Sequence, residues 1–347
     1  GNLSKRILSA LTGAVASAAI LSAVATPMAS ADTVYWKSSS NELWTSTSSW
    51  SSGALPNDGD QLIFSNLSSG TINASEFIQS GSLTYAGGTS FTSITYDTGT
   101  PAALSVFSNG NASTTVNTNF TLTGDGDGNL MSLTANDTGN VTWVGSNHGL
   151  LTLTLAPTTG SGNINVTNSS STLEFTTKLF ATAANITKTG AGTLELGYNG
   201  TNALTGNLTI QQGIVKFIYN SDLGGASGDV IIIDDAGSLQ PLTNVNLANR
   251  VVLNGAGSAF YTNSANTTIT GIVSSTDGTD NLNKTGSGEV ILASVETYTG
   301  NTIVKAGTLA IGVNGMIASS PEIIVGDTLA DNGAVLDVSA VNGGFVL

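Results

Sequence analysis

The stretch Lys188–Gly213 reads KTGAGTLELGYNGTNALTGNLTIQQG, and further on, at Lys284–Gly307, the chain reads KTGSGEVILASVETYTGNTIVKAG. A shift of 96 sets Leu194 on Val290 and Leu196 on Leu292, while Glu195 falls on Ile291. Two residues are then lost. At a shift of 94, Gly206 meets Gly300, Ile210 meets Val304, Gly213 meets Gly307, and Val215 and Phe217 meet Leu309 and Ile311. Apolar positions match apolar positions, and turn glycines match turn glycines. Glycine at a sharp corner supplies positive φ without a Cβ clash. Neither copy holds His, Cys or Arg. The repeated unit therefore reads as scaffold.

Working outward, short alternating runs split by Gly, Asn and Asp recur along the chain, and no long apolar run with a helical period follows residue 31. Four such runs fall at a nearly fixed step: Leu153/Leu155, Leu173/Phe175, Leu194/Leu196 and Val215/Phe217. This predicts the rungs of a β-solenoid, each apolar pair lying over the one below. The intervening Thr, Glu and Lys then face solvent.

Composition sets limits. A chain of 347 residues suits two ordinary domains or one elongated array. Only 9% of residues are charged, so Ser, Thr and Asn solvate it in place of ions. There is no Cys, which excludes disulfides and thiolate metal sites. The net charge is −14, and Arg250 is the only Arg after Arg6. Phosphate neutralisation needs clustered Lys and Arg, so nucleic acid is not an expected partner. Near the start, Lys5 and Arg6 precede an apolar run from Ile7 to about Val24, then Pro27 and Ala29-Ser30-Ala31. That order is a secretory signal peptide, a signal helix over 1–31 that is removed on export. A retained membrane anchor is the other reading, since the run approaches spanning length.

The two quoted copies resemble the autotransporter-associated β-strand repeat, also called the passenger-associated transport repeat. In the first copy the pattern is carried by Lys188, Gly190, Gly192, Leu194, Leu196, Gly206 and Gly213. In the second it is carried by Lys284, Gly286, Gly288, Tyr298, Thr299, Gly300, Thr302, Gly307 and Leu309. The first copy departs with Leu204 at the Tyr position and Leu208 at the Thr position. The segment with Trp36, Trp44, Trp50, Pro56, Gly59, Asp60 and Phe64 is similar to the Trp-rich opening that precedes such repeats in large bacterial surface proteins. The resemblance implies an all-β chain, a right-handed, pectin-lyase-like parallel β-helix displayed at a bacterial surface. The expected organisation is a signal peptide at 1–31, a Trp-rich cap and first coils at 32–110, and a β-solenoid over 111–347. The repeats lie at about 185–217 and 281–311.

Candidate sites are few. Asp125, Asp127 and Asn129 resemble the start of a calcium loop, but Leu130 and Asn136 stand where the loop wants Gly and Glu. An Asp-Gly turn is the plainer reading. His148, the only His, has no nucleophile motif beside it. Asp234 and Asp235 form the best adjacent carboxylate pair, yet neighbours on one strand face opposite sides. Trp36, Trp44 and Trp50 suit a capping core or sugar stacking. More than a dozen N-x-S/T sequons occur, among them Asn66, Asn73, Asn140 and Asn207, and most are read as coincidences of abundant Asn, Ser and Thr.

The expected function is an exported, adhesive or structural passenger segment without catalysis. No catalytic, cofactor or metal residue is assigned. Expected partners are glycans or proteins of a host or neighbouring cell, or further copies of the chain. The expected location is secreted or at the cell surface, with attachment to the outer membrane only where a C-terminal barrel follows Leu347. The alternatives are a β-helical polysaccharide lyase or hydrolase, and a self-assembling filament subunit.

Overall fold

The computed structural model describes residues 32–341 apart from 38–45, 66–69, 74–77, 80–82, 85–89, 92, 98–103, 108–117, 123–130, 137–139, 145–150, 158–160, 177, 182–184, 198–202, 205, 225–228, 262–264, 327 and 329–332. The expected signal helix, Trp44, the Asp125–Asn129 loop and His148 lie outside the described residues. Strands dominate, and their pairings are parallel apart from the short hairpin Ile78–Gln79 with Leu83–Thr84 and one of two isolated bridges.

The strands stack in three ladders visited in turn, so the chain forms a parallel β-solenoid. The first ladder runs from Thr33–Trp36 through Gln61–Ser65, Ser93–Asp97, Met131–Ala135, Ser161–Val166 and Asn185–Thr189. It goes on through the first halves of Leu208–Phe217 and Val230–Pro241 to Arg250–Asn254 and Val273–Ser275. The second ladder begins at Gly70–Asn73, Leu104–Phe107, Val141–Val144, Thr172–Phe175 and Thr193–Leu196. It takes the second halves of the same two long strands, then Ala259–Tyr261, Leu282–Thr285, Thr302–Val304 and Ile323–Val325. The third ladder is in two pieces, Ser90–Phe91 to Ala203–Leu204 and Val245–Leu247 to Val335–Asp337. Between the pieces the face is filled by a 3-10 turn, Asn220–Leu223, whose Leu223 enters the core.

Alternation builds the interior. In Ser161–Val166 every second residue is buried, and Leu173/Phe175, Leu194/Leu196 and Val215/Phe217 lie in register one above another, as their even step predicts. Leu153/Leu155 do not belong to that stack. They lie in the third ladder between Phe120 and Leu179, and the rung below Leu173 is Val141. The cause is plain. Every face contributes an inward apolar pair, so spacing alone does not say which face a pair occupies.

Coil length changes along the axis. In the first ladder Leu62 is matched by Ile94, and Ile94 by Leu133, so the early circuits are long. From Lys188 the column continues through Ile210, Ile233, Leu253 and Ser275 at shorter and nearly even steps. The two repeat copies are therefore four coils and one face apart. Lys188 sits in the first ladder between Ile164 and Ile210, whereas Lys284 sits in the second between Phe260 and Val304.

The open edge of the first strand is covered. Lys37 N–H donates to Ser49 O at 2.7 Å and Ser51 N–H to Tyr35 O at 2.8 Å, which lays residues 49–51 antiparallel along Thr33–Trp36. Trp50 meets Trp36 edge-on at 5.0 Å, Phe64 lies 5.7 and 5.8 Å from the two, and Tyr96 stacks on Phe64 at 5.2 Å. Both Trp36 and Trp50 are buried, so these two indoles pack the interior and present no stacking surface for sugars. Covering a terminal edge removes a template for pairing with other strands.

The corner glycines are held against the corner of the preceding coil. At Gly213, φ is 76°, and a Cβ would lie 2.3 Å from Gly192 O; at Gly307, φ is 64°, and a Cβ would lie 2.4 Å from Gly288 O. Gly53 also has positive φ, 67°, but open space around it. Gly53→Ala should cost about 1 kcal/mol from backbone strain alone, and Gly213→Ala roughly 3 kcal/mol or more, because its coil must also shift. Denaturant unfolding of the two variants measures the difference, and equal costs would contradict the stacked-corner reading.

Candidate functional site

The motif residues that carry chemistry are the two lysines, and the structure spends both of them on the scaffold. Each occupies an inward position of an apolar column and is almost fully buried. Lys188 Nζ donates to Thr189 O at 2.8 Å, Gly190 O at 2.8 Å and Gln212 O at 3.1 Å. Lys284 Nζ donates to Thr285 O at 2.9 Å, Gly286 O at 2.8 Å and Ala306 O at 2.9 Å. An ammonium has three donors, and all three are used. Two acceptors belong to the lysine's own corner and one to the corner of the next coil. Each lysine thus binds two coils at the point where the chain turns and the strand ladder lapses. Burial pushes both amines down from 10.5 to about 8.

The departures of the first copy also become clear. Tyr298 and Thr302 are buried, and their hydroxyls are 2.6 Å apart. Leu204 and Leu208, which hold those places in the first copy, are buried too. A hydroxyl pair has been exchanged as a unit for an apolar pair, a change that leaves no buried donor without its acceptor.

Asparagines at strand starts form a third device. Asn185 Oδ1 accepts the Asn207 N–H at 3.0 Å, and Asn207 Oδ1 accepts the Val230 N–H at 3.2 Å. Asn244 serves Asn266 at 2.8 Å, Asn266 serves Glu289 at 3.3 Å, and Asn281 serves Asn301 at 2.8 Å. Each side chain caps the strand one coil further on. Four sequons have this role: at Asn140, Asn185, Asn207 and Asn266 the Asn caps, the middle residue is buried, and a Thr follows. Abundance of Asn and Thr does not explain these four. Their N-x-T pattern is the start of a solenoid strand.

Asp234 and Asp235 do not act together. Asp234 Oδ1 accepts from Asn254 Nδ2 at 2.7 Å, and Asp235 Oδ1 accepts from the Gly257 N–H at 2.7 Å. On the second face Glu174 lies over Glu195 and Glu195 over Lys216, with a Lys216 to Glu195 contact of 3.6 Å. Partial burial, with Glu195 next, raises the Glu174 carboxyl above its ordinary value. Among the described residues no group of three or more His, Cys, Asp and Glu stands close enough to hold a metal ion. A shallow cleft beside the cap is lined by Asp32, Ser51, Asn57 and Asp60 among others. Both Asp60 oxygens are engaged there, by the Asp32 and Asn57 N–H groups at 3.2 and 2.8 Å.

Lys188→Met keeps the stem and removes three donors, so stability should fall by about 2–4 kcal/mol as buried carbonyls lose their partner. The pH dependence has a definite sign. A lysine whose folded pKa is depressed binds fewer protons folded than unfolded between about 8 and 10.5. Stability should rise through that window, by up to about 3 kcal/mol per lysine. Urea unfolding across the window, with Lys188→Met as reference, reads that contribution directly.

The comparisons with known proteins agree with this geometry. Residues 186–216 and 282–311 match the passenger-associated-transport-repeat model. Over 149 residues, 43% of this chain, the sequence is 30% identical to a protein of Brucella suis biovar 1 (strain 1330) described as "Adhesin BmaC autotransporter". That stretch covers 4% of the relative's length. No solved structure matches. The chain carries two passenger-associated transport repeats on a parallel β-solenoid and resembles the passenger region of an autotransporter.

Proposed function

We propose that this chain is a segment of an exported passenger, displayed at a bacterial cell surface, whose role is adhesive and structural and not catalytic. The observation that carries the reading is the pairing of a repeat-bearing β-solenoid with similarity to a protein described as an adhesin. Two physical features support it. Inward residues and corners are consumed by the stack, so the outer positions along each strand are left for contact. Those positions hold neutral hydroxyls and amides more than charges, a surface suited to many weak polar contacts along a rod. The partners proposed are glycans or proteins on a host or neighbouring cell. The polysaccharide lyase and hydrolase reading gains no support from Asp234 and Asp235, which serve separate atoms of the next coil.

Beads coated with the purified chain should be retained on cultured host cells several-fold more than beads coated with an unrelated β-solenoid. Retention no better than the control would sink the adhesive reading. New reducing ends or unsaturated sugars released from cell-surface polysaccharides would move the chain to the enzyme class.

A further inference from the structure

Glu296 carries a buried carboxyl group, 2% exposed, in the turn between Glu289–Leu292 and Thr302–Val304. Its turn passes the end of the first ladder, where Thr297 N–H donates to Val273 O at 2.9 Å and Glu296 N–H donates to Met316 O at 2.8 Å. In a regular parallel ladder the Val273 N–H would go to the carbonyl of Val295. Here Glu296 Oε2 accepts it instead, at 2.5 Å. The other oxygen, Oε1, is buried without a hydrogen-bond partner. The side chain has replaced one backbone link between two coils, and residues 293–301 form no strand beyond the single bridge of Val295 to Met316.

We propose that Glu296 is a proton-operated latch, which holds the 293–300 turn against Val273–Ser275 when protonated and releases it when ionised. The groups facing it are few. From Val273–Ser275 it meets the Val273 N–H, from its own turn the Ser294 N–H and the Tyr298 phenol, and the Met316 carbonyl binds its backbone. The phenol is itself held above its ordinary range by burial, so it stays neutral. Burial is the largest influence on Glu296 and raises its carboxyl from 4.5 to about 7, against the two N–H groups, which favour the anion. A raised carboxyl pKa means that the closed turn keeps a proton that the open turn loses. The closed form is therefore favoured fully in acid and loses that advantage as pH rises from about 4.5 to 7. Ionisation is relieved when the side chain swings into water, and the Val273 bond is given up. Release also uncovers the edge of Val273–Ser275 beside a row already exposed: Ile272 at 44%, Val295 at 54% and Met316 at 49%.

Amide hydrogen exchange at Val273 in the full chain tests this, with the intrinsic exchange rate divided out. Between about pH 5.5 and 8.5 protection should fall roughly 30-fold, the ratio set by a carboxyl that titrates near 7 closed and near 4.5 open. Glu296→Gln cannot ionise, and its protection should stay flat. Protection that changes equally in both proteins overturns the proposal. Should the variant fail to fold, the Glu296 carboxyl carbon shift in the wild-type chain decides: a midpoint near 7 supports the latch, and one in the ordinary carboxylate range overturns it.

Discussion

The structure depends on parallel backbone hydrogen bonding between coils, rung on rung, with an apolar pair directed inward from each strand. A parallel ladder needs the same position to return above itself after one circuit. Where circuits are short and nearly even, as from Ile164 to Ser275, there is room for three short strands and three tight corners. Each coil is too thin to hold a core alone and is stabilised by its neighbours. That constraint selects β-formers with alternate burial inside the strands, and it concentrates the polar difficulty at the corners.

At a corner the chain leaves the ladder, and its carbonyl and N–H groups must find other partners or remain buried and unpaired. The solenoid answers in three ways. The strand-start asparagines supply an acceptor to the N–H one coil on. Glycines such as Gly213 and Gly307 let the backbones approach closer than a Cβ allows. At one corner in each repeat copy a lysine leaves the apolar column and gives all three protons to carbonyls. A buried ammonium is costly, but here it answers three buried acceptors at once and ties two coils together. This explains why a motif with so little reactive chemistry retains a lysine. Glu296 is the acidic counterpart with a poorer fit, since only one of its oxygens is satisfied.

Much of this is legible in the sequence, and the limits are physical. The all-β solenoid and the stack Leu173, Leu194 and Val215 follow from alternation and a steady step, because those coils are nearly equal in length. The earlier coils, from Leu62 to Ile94 and from Ile94 to Leu133, are longer and unequal, so the same arithmetic finds nothing there. Alternation is identical on all three faces, which is why Leu153 looks like a rung beneath Leu173. The rotation of the second repeat by one face has no local signature. It arises from the number of coils between Lys188 and Lys284. The lysine's role is hidden because its partners are backbone carbonyls, two in its own corner and one a full coil away. Four of the strand-start asparagines, Asn140, Asn185, Asn207 and Asn266, could have been found from their N-x-T form, in which the middle residue is apolar three times in four; Asn244 and Asn281 lack it.

The same division explains why the proposed adhesive role is the least legible part. Inward positions answer to the core, and Asn, Gly and Lys at the corners answer to the backbone. Those residues would be needed in any solenoid of this kind, whatever it touched. The outward positions along each strand are free to vary: Glu195 in one copy is replaced by Ile291 in the other, on a different face, with the scaffold unchanged. Under the proposed adhesive role, partner specificity would reside in the outward set, which the fold does not constrain. Because the repeats are offset by one face, even equivalent outward residues point in different directions. A repeated sequence here produces a repeated scaffold and not a repeated binding site.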